Sequence, residues 1–409
     1  MTMNAIAERY VKLVLNIGVY DTDYVDAYYG PKEWKPVGDD AIKKEPFPSQ
    51  RFEDEVDQLL SLLHSIETST TSNDEQLRHA SMLKQLIAVK AKIYLLSGGK
   101  FSFDEESRQM YDAVAPTYSE NHFRKLLEDL GTMLLGTGSV SERLESYKKP
   151  FIIPKDKLDA VFKAAIAEGR ARTLQHIGLP SNENFTVEYV NNKPWSGYNW
   201  YKGDSYSVIQ VNTDLPIFID RAVDLACHEG YPGHHVYNLL MEKNLVRERG
   251  WLEFSVYPLF SPQSLIAEGS ANYGIEVALP GDERVHFERD VLFPRAGHDP
   301  NRAAEYYRVQ ALKAKLDYAG NEAGRNFLDG KWKRKEAVEW LVTYGLFAPD
   351  RAEQRLSFIE RYRSYVINYN LGQDIVRLFI ERKGGANSAQ RWKLFEQLLS
   401  SPHTPSGLQ

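Results

Sequence analysis

The chain has 409 residues, a formal net charge of −6 and 43% hydrophobic residues. That is enough apolar material for two domains or one large helical body, and an acidic balance argues against a nucleic-acid-binding surface, which is normally basic. No apolar run reaches the ~18 residues of a membrane helix, the opening Met-Thr-Met-Asn-Ala-Ile-Ala-Glu-Arg-Tyr lacks a basic segment followed by an apolar core, and the single cysteine, Cys227, has no internal partner, so the expectation is a protein of the reducing cytoplasm without nucleic-acid or membrane partners.

Residues 1–180 read as an N-terminal helical region. Apolar spacing of three and four predicts helices over Ala5–Ile17, Phe52–Ile66 (with Leu59, Leu60, Leu62 and Leu63 as its stripe) and Glu75–Leu96. Polar, aperiodic Thr68–Asn73 reads as a loop. Ser102…Glu105 and Ser139…Glu142 have capping-box spacing and mark two further helix starts. Pro154 opens a helix to about His176, whose Leu158, Val161, Phe162, Ala165 and Ile166 should pack inward. Between about 184 and 214 the period switches to two. Phe185–Val190 and Tyr206–Asn212 alternate, and Lys202-Gly203-Asp204 just ahead of the second run suits a hairpin turn. Ser207–Asn212 is expected to supply an exposed strand edge that could pair with an extended peptide; a plain structural hairpin is the alternative. Trp195, Tyr198, Trp200, Tyr201 and Tyr206 come with few Lys or Arg, which suits a pocket wall or hairpin packing better than base stacking.

Helices resume over about 215–243, 261–279, 300–328, 333–345, 350–382 and 388–400, and 401–409 is expected to be a disordered tail. The first of these helices carries His228-Glu229-Gly230-Tyr231-Pro232-Gly233-His234-His235. Without Pro232 and Gly233 it would read His-Glu-x-x-His, which puts two metal-ligating imidazoles on one helix face with a glutamate general base beside them. At about 100° per residue, His228 and His234 in a straight helix would point to different faces, and His235 would lie roughly 10 Å along the axis. Proline breaks a helix and glycine takes backbone angles closed to other residues. A Pro232-Gly233 bulge would therefore return His234 to the second ligand position, with His235 as the reserve. Cys227, pointing about 100° away from His228, reads as a small buried apolar residue.

A catalytic zinc site usually takes three protein ligands and leaves one position open. The mostly apolar 261–279 run holds Glu268 at its middle; a buried carboxylate is costly unless it is paired or bound to a metal, so Glu268 is the expected third ligand. Asn272, one turn on and on the same face, could orient a ligand; Glu276 is a weaker candidate.

His228-Glu229-x-x-Pro232-Gly233-His234-His235, followed by Glu268-Gly269-x-Ala271, resembles the bacterial family known as "domain of unknown function 885", whose members resemble gluzincin zinc peptidases. The resemblance covers roughly residues 200–380. It implies a mainly α, multi-helix zincin-like body, similar to the thermostable carboxypeptidase and neurolysin-like enzymes, with a small β element beside the metal helix and residues 181–400 as the catalytic region. It also implies Zn2+ held by His228, His234 and Glu268, with Glu229 as base. Ser270 stands where the family usually has Trp. Glu360-Arg361-Tyr362 and Tyr369-Asn370-Leu371-Gly372 loosely resemble the family's Arg-Tyr…Tyr-Lys-Ile-Gly stretch, with shorter spacing. On that match and on chemical type, Tyr369 is the candidate oxyanion donor and Arg361 or Arg363 the charge anchor. The expected function is zinc-dependent hydrolysis of short peptides. The alternatives are a zinc hydrolase of another amide or ester, and a non-catalytic helical binding protein with a vestigial site.

Overall fold

The computed structural model describes residues 2–43, 46–68, 71–193 and 195–409; Ser69 and Thr70 of the expected loop lie outside them. Helix α1 (Met3–Gly18), capped by Thr2, leads into β1 (Val25–Tyr28), and α2 (Ser49–His64) and α3 (Asn73–Leu96) follow. Next come α4 (Phe103–Tyr111), α5 (Glu120–Met133), α6 (Val140–Lys148) and α7 (Leu158–Leu174). Ser102 and Ser139 make the reciprocal side-chain bonds of capping boxes, and Ser72 with Glu75 makes a third, which starts α3 ahead of Glu75.

The β element consists of β2 (Asn184–Val190), β3 (Gly197–Gly203) and β4 (Tyr206–Asn212), in the spatial order β2-β4-β3. The two alternating runs are strands, but they are parallel neighbours and not the arms of one hairpin. The antiparallel partner of β4 is β3, and Asp204 and Ser205, at φ 55° and 60°, make their two-residue turn. Ser207–Asn212 thus belongs to the central strand with both sides already paired. The expectation that it offers a free edge is corrected: the outer edges are those of β2 and β3.

The long helix expected over 215–243 is divided into α8 (Asp220–Leu225), a wide π-type turn over Ala226–Gly230, a break, and α9 (His234–Met241). A second wide turn, Glu242–Arg247, leads to β5 (Val256–Pro258), which pairs antiparallel with β1. Then come α10 (Pro262–Ala278), α11 (Asp282–Phe287), α12 (Phe293–Ala296), α13 (Ala303–Ala314), α14 (Ala319–Leu328), α15 (Arg334–Thr343), α16 (Pro349–Tyr362), α17 (Ile367–Gly384), α18 (Ser388–Ser400) and α19 (Pro405–Leu408). The helix expected over 350–382 breaks at Arg363 (φ 55°). Buried Glu106 of α4 draws the chain inward there, accepting from the Arg363 guanidinium and from the Ser364 amide and hydroxyl.

The molecule is mainly helical, a large multi-helix body with a small β element. One hydrophobic core runs from Ile6 of α1 through α3, α7, α10 and α17 to Leu408 of α19. The boundary expected near residue 180 therefore does not separate two cores; the N-terminal helices pack directly on the C-terminal ones. A buried ion pair, Arg78 Nε to Glu253 Oε1 at 2.5 Å, ties α3 to the turn before β5. The expected disordered tail is instead folded. Thr404 caps α19, Leu408 is buried in the core, and Arg382 donates to the carbonyls of Leu408 and Gln409.

Helices α10 and α17 cross at backbone contact. A Cβ on Gly269 would fall 2.3 Å from the carbonyl carbon of Gly372, and one on Gly372 would fall 2.6 Å from the carbonyl oxygen of Leu265. Only two glycines permit this approach, and it presses Tyr365 and Tyr369 towards Glu268.

Candidate metal centre

The octapeptide breaks its helix as its composition foretold. After the wide turn the chain bulges out over Tyr231–Gly233, and the Gly233 amide donates back to the Cys227 carbonyl at 2.9 Å. A Cβ on Gly233 would sit 1.9 Å from the His228 carbonyl oxygen, so no other residue fits. The bulge sets the His234 ring nearly perpendicular to that of His228, with Nε2 of each 3.1 Å apart. His235 turns the other way. It is fully buried, with Nδ1 2.8 Å from Ser207 Oγ and Nε2 3.3 Å from Glu183 Oε2. His235 fastens α9 to the sheet, and His234 is the histidine that joins His228.

Glu268 completes the cluster. Its Oε2 lies 3.3 Å from His228 Nε2 and 3.6 Å from His234 Nε2, while Oε1 accepts a 2.7 Å hydrogen bond from Tyr365 Oη. Oε2 is buried without a hydrogen-bond partner, an arrangement that costs free energy unless something else binds there. A tetrahedral ion with ligand bonds of about 2.0–2.1 Å needs donor atoms about 3.3–3.4 Å apart, and the three spacings here are 3.1, 3.3 and 3.6 Å. The donor set and its spacing fit a zinc ion. Both imidazoles keep 14% side-chain exposure, so the cluster is open to solvent on one side.

Asn272 fixes the first imidazole. Its Nδ2 donates to the Tyr369 carbonyl at 2.8 Å, which leaves Oδ1 to accept from His228 Nδ1–H at 2.8 Å. That bond places the His228 lone pair on Nε2, facing the cluster. Electrostatics run in the same direction. Burial opposes a proton on His234, but Glu268, Glu229 and Asp26 outweigh it and raise the imidazole to about 9. Burial likewise works against an ionised Glu268, yet the two imidazoles hold it well below the usual carboxylate range. The pocket favours positive charge at its centre, as a proton or as a metal ion.

Glu229 is buried beside the cluster. Its carbonyl accepts from Asn199 Nδ2 of β3 at 2.7 Å, and a Cβ on Gly197 of β3 would approach Glu229 Oε1 to 3.2 Å. The strand next to this carboxylate is therefore the outer strand β3.

Tyr369 lies on α17 within the electrostatic reach of Glu268 and Glu229; burial, the larger effect, and these two carboxylates raise its hydroxyl well above the usual phenol range. Arg361 is not brought to the cluster. Its guanidinium forks onto Asp23 at 2.7 Å through both contacts on the exposed end of α16. Arg363 is committed to Glu106, so neither expected anchor is free to meet a substrate. Glu276 is exposed and accepts from Gln373 at 2.7 Å. Cys227 is buried, and burial pushes its thiol up to about 12; it packs the back of the bulge.

Three contributors escaped the sequence reading. Tyr365 shares the three-and-four spacing of Tyr362 and Tyr369, a signal that was present but looked like ordinary packing. Arg355, half-buried, holds its guanidinium 5.9 Å from the Tyr369 ring. Asp26 of β1 lies in the electrostatic field of His234, Glu268 and Glu229, about two hundred positions from the motif, with no local signal to mark it.

No family model matches the chain and no curated protein is found similar to it. Among solved structures, it resembles a "putative lipoprotein" from Colwellia psychrerythraea, with a TM-score of 0.54 and 17% identity over 89% of this chain and 66% of that one. A "putative lipoprotein of unknown function" from Shewanella oneidensis gives a TM-score of 0.48 and 14% identity, over 88% of this chain and 70% of that one. The chain thus spans about two thirds (66%) of the Colwellia protein's length, and the likeness at this identity is one of fold. Among the described residues no helix is long and apolar enough to cross a membrane.

Proposed function

We propose that the protein is a zinc-dependent metallopeptidase that hydrolyses short peptides, related in mechanism to the gluzincin-like "domain of unknown function 885" proteins that its motif resembles. The observation that carries the reading is the convergence of His228 Nε2, His234 Nε2 and the orphaned Glu268 Oε2 beside the carboxylate of Glu229. Zinc held by these atoms would supply an activated water near neutral pH and polarise the scissile carbonyl. Glu229 takes the proton from that water on its carboxylate and passes it to the leaving amine. Tyr369 donates its hydroxyl to the carbonyl oxygen as negative charge builds there. Asn272 keeps the first imidazole in the required tautomer, and Tyr365 holds the carboxylate of Glu268 in place. The outer edge of β3 is the strand beside Glu229 that an extended peptide would pair with.

A cytoplasmic setting belongs to the same proposal, supported by the lone buried thiol of Cys227; recovery of the protein in a lipid-anchored membrane fraction of its host would contradict it. The functional reading is tested by metal analysis together with chelator-sensitive hydrolysis of a peptide library. Glu229→Gln should keep its zinc and lose about 10²–10⁴-fold in turnover. Full activity in that variant, or peptide hydrolysis indifferent to chelator, would overturn the reading.

A further inference from the structure

Strand β1 pairs with β5 in a register that slips between Val25 and Ala27, so that Asp26 has no opposite residue. Bulges of this kind re-aim a side chain and are common beside active sites. Asp26 is aimed at the cluster: His234, Glu268 and Glu229 all act on its carboxylate. Three aspartates lie in this short segment, and the other two carry a cation, Asp21 with Lys92 and Asp23 with Arg361. Among the described residues Asp26 has none; its side-chain partner is the neutral hydroxyl of Tyr198 on β3, which donates to Oδ1. Tyr198 is itself held between Trp195 and Trp200, with ring centroids at 5.5 and 4.6 Å. The sheet therefore supports a carboxylate that faces the reaction centre and lacks a counter-charge. A partly buried carboxylate without a cation is costly. Burial first, and then repulsion from Glu268 and Glu229, push it up to about 7, so an arriving cation would find a site already short of positive charge.

We propose that Asp26 receives the free α-ammonium group of the substrate, with Tyr198 holding the carboxylate in place, so that the enzyme acts on peptides with an unblocked N-terminus. This rests on the metallopeptidase reading above. It adds a substrate class, short peptides cut close to their amino end. A lysine side chain offers the same ammonium chemistry and is distinguished by the test.

The test uses the zinc-loaded full chain and a defined library of tri- to pentapeptides, each with a free and an N-acetylated amino end, including an acetylated subset that contains lysine. The wild type should prefer the free form by about 10- to 100-fold in kcat/KM, the worth of a charge-assisted hydrogen bond. In Asp26→Asn the preference should collapse through a higher KM for free peptides, with zinc content and the slow cleavage of acetylated peptides unchanged. Tyr198→Phe, which keeps the carboxylate but removes its support, should lower the preference several-fold and gives an independent reading if Asp26→Asn folds poorly. Equal cleavage of free and acetylated peptides by the wild type, or an undiminished preference in Tyr198→Phe and Asp26→Asn, overturns the assignment while leaving the peptidase intact. Acetylated lysine peptides cleaved as well as free ones would transfer the contact to a side chain and overturn the α-ammonium assignment. No cleavage of either form would overturn the peptidase reading, and this one with it.

Discussion

Gly233→Ala is the most demanding perturbation of the centre, because it changes no ligand. The added Cβ would fall 1.9 Å from the His228 carbonyl oxygen and 2.3 Å from that of Cys227. Such atoms do not approach closer than 3.0 Å, so the backbones carrying the two histidines must part by about 1.1 Å. Ligand distances in a metal site tolerate only about ±0.2 Å. The forced shift is several times that tolerance, at a place where backbone, and no flexible side chain, must yield. Loss of a group that merely orients a ligand costs about 10–100-fold in affinity; displacing a ligand should cost at least the upper end of that range. Overpacking should also lower stability by about 1–3 kcal/mol. Competition for zinc against a chromophoric chelator, alongside thermal melting, measures both. Gly320→Ala is the control: nothing lies within 4 Å of its added Cβ in α14, so zinc binding should be unchanged and stability should rise by up to about 1 kcal/mol. A folded Gly233→Ala protein with wild-type zinc affinity would refute the claim that the bulge positions the histidines.

Zinc uptake should depend on pH with a definite sign. Burial works against the proton on His234, but neighbouring carboxylates hold it up to about 9, and metal must displace it. Affinity should therefore climb about tenfold per pH unit below 9 and flatten above, with close to one proton released at neutral pH, as calorimetry in buffers of different ionisation enthalpy would record. In the metal-free protein the same raised pKa contributes stability that is fully present below the unfolded value and is lost as pH rises through about 9. Asn272→Ala removes the bond that sets the His228 tautomer and should weaken zinc binding by about 10–100-fold without a large change in melting temperature. Far from the centre, Arg78→Met leaves Glu253 buried without its cation and should cost about 3–5 kcal/mol in denaturant unfolding; a loss below 1 kcal/mol would show the pair to be dispensable.

How much the sequence disclosed depended on how local the controlling interaction was. The bulge, the pairing of His228 with His234, and the role of Asn272 one turn after Glu268 all follow from helical arithmetic over a few residues, and they agree with the structure. The capping serines did so for the same reason. The β element was only half legible. Alternation identified β2 and β4, but nothing in either run says which strand lies beside it, and Gly197-Tyr198-Asn199-Trp200-Tyr201-Lys202-Gly203 lacks the apolar–polar alternation that would have revealed β3. Arg361 lay next to a motif and was chosen by type. Its partner Asp23 lies 338 residues away, beyond the reach of any pattern. Asp26 escaped for the same reason: its direction is set by a bulge against a strand formed more than two hundred residues later. The tail was misread because a few apolar residues after a polar stretch, Leu408 among them, can fill a gap in a core that only the folded chain defines.

The central claim is that one divalent ion is shared by two imidazoles and a carboxylate, and zinc-edge anomalous diffraction from crystals of zinc-equilibrated protein addresses it most directly. The expected result is a single strong peak about 2.0–2.1 Å from His228 Nε2, His234 Nε2 and Glu268 Oε2, with one further position open to solvent. A peak bound elsewhere on the chain, or these three side chains in contact with no metal at saturating zinc, would contradict it.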